Sequence, residues 1–179
     1  MEKPKGASSV DGQTFQVGAN TVIQSDAPGR SCAVVFEDDG ETAYFYALDL
    51  KHAQDPILDA VHIYTVANVT DRYTSSKLSI LWSDDASKCA LLINGYPHAA
   101  FDFAARRGFC RTNFPNSPNP ADARWQTSNH EWSDDAVAWL SPGLSRESSC
   151  VCFEIRQLKV GIEGMARRSR ICDLAFGRL

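Results

Sequence analysis

An α+β fold is what this sequence predicts: a single domain built on a mainly antiparallel meander sheet with short flanking helices. Three observations predict it. Apolar runs on either side of Asn94-Gly95 make a tight hairpin, a second pair of runs flanks Asp39-Gly40, and Asp55-Pro56 and Ser133 stand where helices start. Consecutive hairpins give antiparallel neighbours, and helices set at the sheet's edges complete the class.

Taken in chain order, residues 1–13 are rich in Gly, Ser and Lys and read as a loose leader, with structure expected from Thr14. Phe15 and Val17, then Thr21-Val-Ile-Gln, form one or two short strands, and Ser25-Asp-Ala-Pro-Gly is turn chemistry. Cys32-Ala-Val-Val-Phe and Ala43-Tyr-Phe-Tyr-Ala-Leu are the next two strands. A two-residue turn between them would set Asp38 opposite Glu41, and like charges directly opposed are unfavourable, so a longer loop over residues 37–42 is expected. Asp55 as cap and Pro56 at the first helical position start a short helix striped by Ile57, Leu58 and Val61. The β-branched, aromatic run that follows turns it into a strand.

Lys77-Leu-Ser-Ile-Leu-Trp is a strand, and the Asn94-Gly95 hairpin follows a polar loop. Asn-Gly supplies the two positive φ values of a type I′ turn, whose twist matches its strands. That turn pairs Ile93 with Tyr96, Leu92 with Pro97 and Leu91 with His98. One face then holds Cys89, Leu91, Ile93, Tyr96, His98 and Asp102, and the other Ala90, Leu92, Pro97, Phe101 and Phe103. Pro97 cannot donate a ladder bond, so the strand from Tyr96 is an edge at its start. Trp132-Ser-Asp-Asp-Ala-Val-Ala-Trp-Leu closes the body as a short helix, with Ser133 as cap and acids in its first turn. Three segments result: the leader 1–13, an α+β domain 14–140, and a basic, Cys-containing tail 141–179.

Composition narrows the function classes. An apolar share of 44% with four Trp, five Tyr and nine Phe is ample for a core. The net charge of −4 argues against a nucleic-acid partner. Residues 1–140 carry eleven basic against eighteen acidic side chains, a balance of −7, while residues 141–179 carry seven against four, a balance of +3. No run approaches the roughly 20 apolar residues of a membrane span, and residues 1–13 lack a signal peptide's apolar core, so no membrane partner is expected and a cytoplasmic location is. The six cysteines are scattered through a chain that can build its own core, which reads as mostly free thiols.

Four blocks resemble a bacterial family of uncharacterised proteins, domain of unknown function 2251. They are Val34-Val-Phe-Glu-Asp-Asp-Gly-Glu-Thr-Ala-Tyr-Phe-Tyr-Ala-Leu-Asp, Ile57-Leu-Asp-Ala-Val-His-Ile-Tyr, Leu91-Leu-Ile-Asn-Gly-Tyr-Pro-His-Ala with Phe101-Asp-Phe, and Arg107-Gly-Phe-Cys-Arg-Thr-Asn-Phe-Pro. The resemblance spans residues 14–140, implies a small, soluble bacterial α+β domain and brings no activity with it.

No nucleophile motif, phosphate loop or dinucleotide fingerprint is present, so no catalytic residue and no cofactor are assigned. Glu37, Asp38, Asp39 and Glu41 lack the alternating spacing of a calcium loop, and the histidines and cysteines lack metal-ligand spacing, so no metal is assigned either. Cys110 lies between Arg107 and Arg111, charges that lower a thiol pKa, but no base accompanies it. The richest segment is residues 106–114, which gathers three of the body's basic residues beside two aromatics in an otherwise acidic domain. Arginine with aromatic rings is the composition of interface hot spots. The binding residues expected are therefore Arg106, Arg107, Phe109, Arg111 and Asn113, with His98 nearby on the hairpin. A non-enzymatic protein-binding or regulatory module, including an immunity-type one, fits this pattern, its protein partner unidentified. The alternative is a small-molecule sensor or enzyme using His98, Asp102 and Arg107.

Overall fold

The computed structural model describes residues 10–115, 124–126 and 129–140. The leader's first nine residues, the Pro/Asn/Ser loop of residues 116–120 and the tail 141–179 with its three cysteines lie outside them. Among the described residues nine strands form two antiparallel sheets. Four consecutive strands make one sheet: β2 (Thr21–Asp26), β3 (Cys32–Asp38), β4 (Thr42–Asp49) and β5 (Ile57–Thr65). The other has the order β1-β6-β7-β8-β9, where β1 is Val10–Phe15, β6 Ser76–Trp82, β7 Lys88–Ile93, β8 Tyr96–Asp102 and β9 Arg107–Cys110. The chain lays β1, builds the whole four-stranded sheet, and returns to β1 with β6.

The fold is thus all-β, and the expected α+β class is corrected. The helical elements among the described residues are two 3₁₀ turns, Val66–Asn68 and Asp134–Val137. The Asp55-Pro56 helix is absent because the residues after it alternate with period two: Asp59, Val61 and Ile63 are buried while Leu58, Ala60 and His62 are half-exposed. Pro56 instead precedes an edge strand, a place proline tolerates, and its carbonyl accepts from Asp49 N at 2.7 Å. The Ser133 helix shrinks to one 3₁₀ turn without a side-chain cap bond, since a run of nine residues nucleates poorly and packing decides its path.

The two inner faces meet in one core. Phe45 of β4 stacks on Phe101 of β8 at 5.1 Å, Phe15 of β1 meets Phe36 of β3 edge-on at 5.5 Å, and the Trp82 indole of β6 donates to Ser25 Oγ of β2 at 2.9 Å. Part of the outer face of the five-stranded sheet, over β7 and β8, is also covered, by Val137, Trp139 and Leu140 packed on Ala90, Leu92 and Ala100.

Asn94 (φ 53°) and Gly95 (φ 79°) adopt the expected turn, and Ile93 pairs with Tyr96 and Leu92 with Pro97. The register then slips: Leu91 faces Ala99, and His98 is the extra residue of a bulge. The expected faces are corrected accordingly. Phe101 joins Cys89, Leu91 and Ile93 in the core, while Asp102 lies opposite Lys88 and pairs with it at 3.5 Å. In the β3–β4 hairpin Asp38 faces Ala43 rather than Glu41, so that loop is longer than two residues, though the strands run further toward it than expected. Asp38 is buried and fully used, accepting from Gly18 N, Gly40 N and Tyr64 OH.

Candidate functional site

Strand β9 ends the five-stranded sheet. Alternation puts Arg107 and Phe109 on one face, with Arg111 continuing that phase just past the strand, while Gly108 and Cys110 face inward. Arg107 lies opposite Asp102 in the ladder, and its guanidinium sits 5.0 Å from the Phe109 ring centre. Its Nε is buried with no hydrogen-bond partner.

Arg111 is held from both sides. Its guanidinium lies 4.3 Å from the Tyr96 ring and 4.0 Å from the Trp132 ring, and Nε donates to the Pro97 carbonyl at 2.8 Å. The outer end of the fork points toward Asp134, an exposed side chain 3.8 Å away. The Arg111 side chain keeps 29% of its surface open, so the fork is fixed in place and still accessible. Its backbone N donates to the carbonyl of His98 in the bulge, which brings His98 beside the same arginine. Burial of that ring, with the Arg111 charge adding to it, pushes the His98 pKa down to about 4, and the imidazole is neutral at physiological pH.

The other expected residues frame this strand. Arg106 (φ 53°) is the exposed turn residue before β9, with its carbonyl accepting from Gln126 N. Asn113 (φ 47°) follows it, and its side-chain oxygen accepts from Trp132 N at 3.1 Å. Asp102 is engaged by Lys88 and by Ala105 N at 2.8 Å, at the far end of β8 from His98. Cys110 is buried, its sulfur 3.2 Å from Thr112 Oγ1 and accepting from Phe114 N. Burial raises its pKa, so the thiolate that the flanking arginines would have favoured does not form.

Sequence reasoning missed the group on the inward side of β9. Asp59 of β5, 8% exposed, meets the imidazole of His130, 1% exposed, at 3.0 and 3.1 Å. The same carboxylate accepts from the Trp125 indole at 2.7 Å and from Ala60 N at 2.9 Å. Gly108 makes room for it: a Cβ there would stand 2.5 Å from Asp59 Oδ2 and 2.9 Å from Phe101, so only glycine lets β9 close over the acid. The signal available in the sequence was Asp59 itself, an acid in phase with Val61 and Ile63 on the buried side of a strand, where a charge needs a partner.

Among the described residues no group of three or more His, Cys, Asp or Glu side chains is placed to hold a metal ion, and Cys32, Cys89 and Cys110 are free thiols. No helix among them is long and apolar enough to cross a membrane.

Comparison with known families places this arrangement. Residues 15–141 match the family described as "Uncharacterized protein conserved in bacteria (DUF2251)". The chain belongs to that family. A relative, an uncharacterized protein of Haemophilus influenzae, is 48% identical over 104 residues, which are 58% of this chain and 62% of that one. The chain therefore spans less than two thirds of that relative's length. No solved structure matches. All the β9 residues discussed above, and their partners Tyr96, His130 and Trp132, fall inside the DUF2251 match.

Proposed function

We propose that this DUF2251 domain is a non-enzymatic protein-binding module of regulatory or immunity type, acting in the bacterial cytoplasm through the outer face of β9. The observation that carries this reading is the clamped Arg111 fork, fixed between Tyr96 and Trp132 with Nε spent on Pro97 and its outer end at the surface beside the exposed Asp134. A guanidinium already held in one geometry loses little entropy when it meets a carboxylate in bidentate fashion. Arg107 over Phe109 adds a second stacked pair on the same face, so arginine and aromatic surface alternate as in hot-spot clusters. The partner this suits is a protein presenting acidic side chains. The immunity-type role rests on analogy with small acidic domains that neutralise toxins. A sensor or enzyme built on His98, Asp102 and Arg107 has less support, because Asp102 is engaged elsewhere and the bulge holds His98 at the other end of its strand.

The test is a paired variant, Arg107→Ala with Arg111→Lys. Lysine keeps the charge but not the fork. Binding to the partner recovered by cross-linking to the wild-type domain is expected to weaken by at least about 2 kcal/mol, the loss typical of hot-spot residues. A variant that folds and binds normally would move the recognition surface off β9.

A further inference from the structure

Residues 124–126 and 129–132 form a strap along the free edge of β9. Gln126 N donates to the Arg106 carbonyl at 2.9 Å, and Cys110 N donates to the His130 carbonyl at 3.0 Å. Both pairs are offset by the same twenty residues, so the strap runs parallel to β9 and occupies the edge that another strand would otherwise pair with. Its side-chain anchors are Arg124 on Asp55, Trp125 and His130 on Asp59, and the Trp132 amide on Asn113.

His130 is the anchor with a chemical constraint. Its Nδ1 lies 2.9 Å from the Phe114 carbonyl and its Nε2 lies 3.0 Å from the Asp59 carboxylate. A carbonyl only accepts, so Nδ1 donates to Phe114, and Asp59 already accepts from Trp125 and Ala60. A second proton, on Nε2, lets the ring donate to Asp59 as well, so the doubly protonated ring is the form that both partners favour. The residue also holds φ 49°, backbone that persists only while its surroundings enforce it. The other titratable groups that influence it are Arg107, which opposes its charge from β9, and Cys110, which shares the Asp59 environment.

We propose that the strap is a proton-held cover: the second proton on His130 pins it over the β9 edge, and loss of that proton releases the strap and bares the edge. This is independent of whether the arginines recognise a partner. The linkage has a definite sign. Burial works to lower the His130 pKa, but the Asp59 hydrogen bond and charge, with the Phe114 carbonyl, outweigh it and the net shift is upward. The strap's hold is complete below the ordinary value of 6.5 and is lost as pH rises through the higher folded value.

Amide hydrogen exchange on the full chain, corrected for the intrinsic pH dependence of exchange, tests the proposal. With rising pH, Cys110 and Gln126 are expected to lose protection by tenfold or more, with the midpoint of the His130 ring titration followed by NMR, while Leu91 in central β7 keeps its own. Asp59→Asn should move that midpoint down by about 1 unit or more, since an opposite charge at this distance is worth that much. If the variant does not fold, coincidence of the two wild-type midpoints carries the test. Protection that stays flat through the ring titration, or an unmoved midpoint in a folded variant, overturns the proposal.

Discussion

Truncating Asp59 to alanine is expected to remove about 3–5 kcal/mol of folding stability, the range found when one partner of a buried ion pair is deleted. The loss comes less from the missing attraction than from what stays behind: the buried His130 ring, the Trp125 indole N–H and the Ala60 amide, all without the Asp59 acceptor. Urea unfolding measures it directly, as a fall in midpoint at nearly unchanged slope. The deficit should be largest at pH 6 and smaller in alkaline solution, where the wild-type imidazole has itself lost its charge. A loss below about 1 kcal/mol would mean that the pair is wetter than its burial implies, since exposed ion pairs contribute that little.

Phe101→Ala should cost a similar amount, about 3–5 kcal/mol, by opening a cavity between the sheets. The ring is 1% exposed, lies against Phe45 of the opposite sheet, and closes over Gly108. This substitution distinguishes two registers of one hairpin. Continued without a bulge, the Asn94-Gly95 turn would send Phe101 to the outer face with Leu92, where truncation would be milder. With His98 as the extra residue, Phe101 is core. Thermal or urea denaturation of the purified variant decides between them, and a change under about 0.5 kcal/mol, typical of surface positions, would favour the unbulged register.

That hairpin marks how far the sequence could be read. Local chemistry was legible: Asn94-Gly95 dictated the turn and the first two pairs, and the charges around Asp39-Gly40 ruled out a two-residue turn. What failed were competitions between local signals and tertiary context. Pro97 did mark an edge at the start of β8, since β9 pairs only from Ala99 onward, but it gave no sign of the bulge that shifts every later side chain. Asp55-Pro56 is a helix start in isolation, yet Ile57 onward finds its burial by pairing with β4. The division into two sheets was not legible, because it depends on β1 pairing with β6, with Val10 facing Ile80.

The candidate site divides the same way. Arg107, Phe109 and Arg111 were singled out from composition, without the strand whose alternation aligns the first two and whose phase Arg111 continues. Tyr96 and Trp132, the rings that clamp Arg111, come from fifteen residues upstream and twenty-one downstream, and no spacing rule joins them. The His130–Asp59 pair is separated by 71 residues and was visible only as an acid in the wrong place on a strand.

The recognition face itself is tested most directly by hydroxyl-radical footprinting of the wild-type domain, free and in complex with its cross-linked partner. Tyr96, at 42% exposure, and the half-exposed Phe109 and Trp132 are predicted to become protected, while Tyr73, the most open large hydrophobic side chain among the described residues at 77%, keeps its reactivity. Protection at Tyr73, or at Tyr44 and Tyr46 on the opposite sheet, with Tyr96, Phe109 and Trp132 unchanged, would contradict the assignment of recognition to β9.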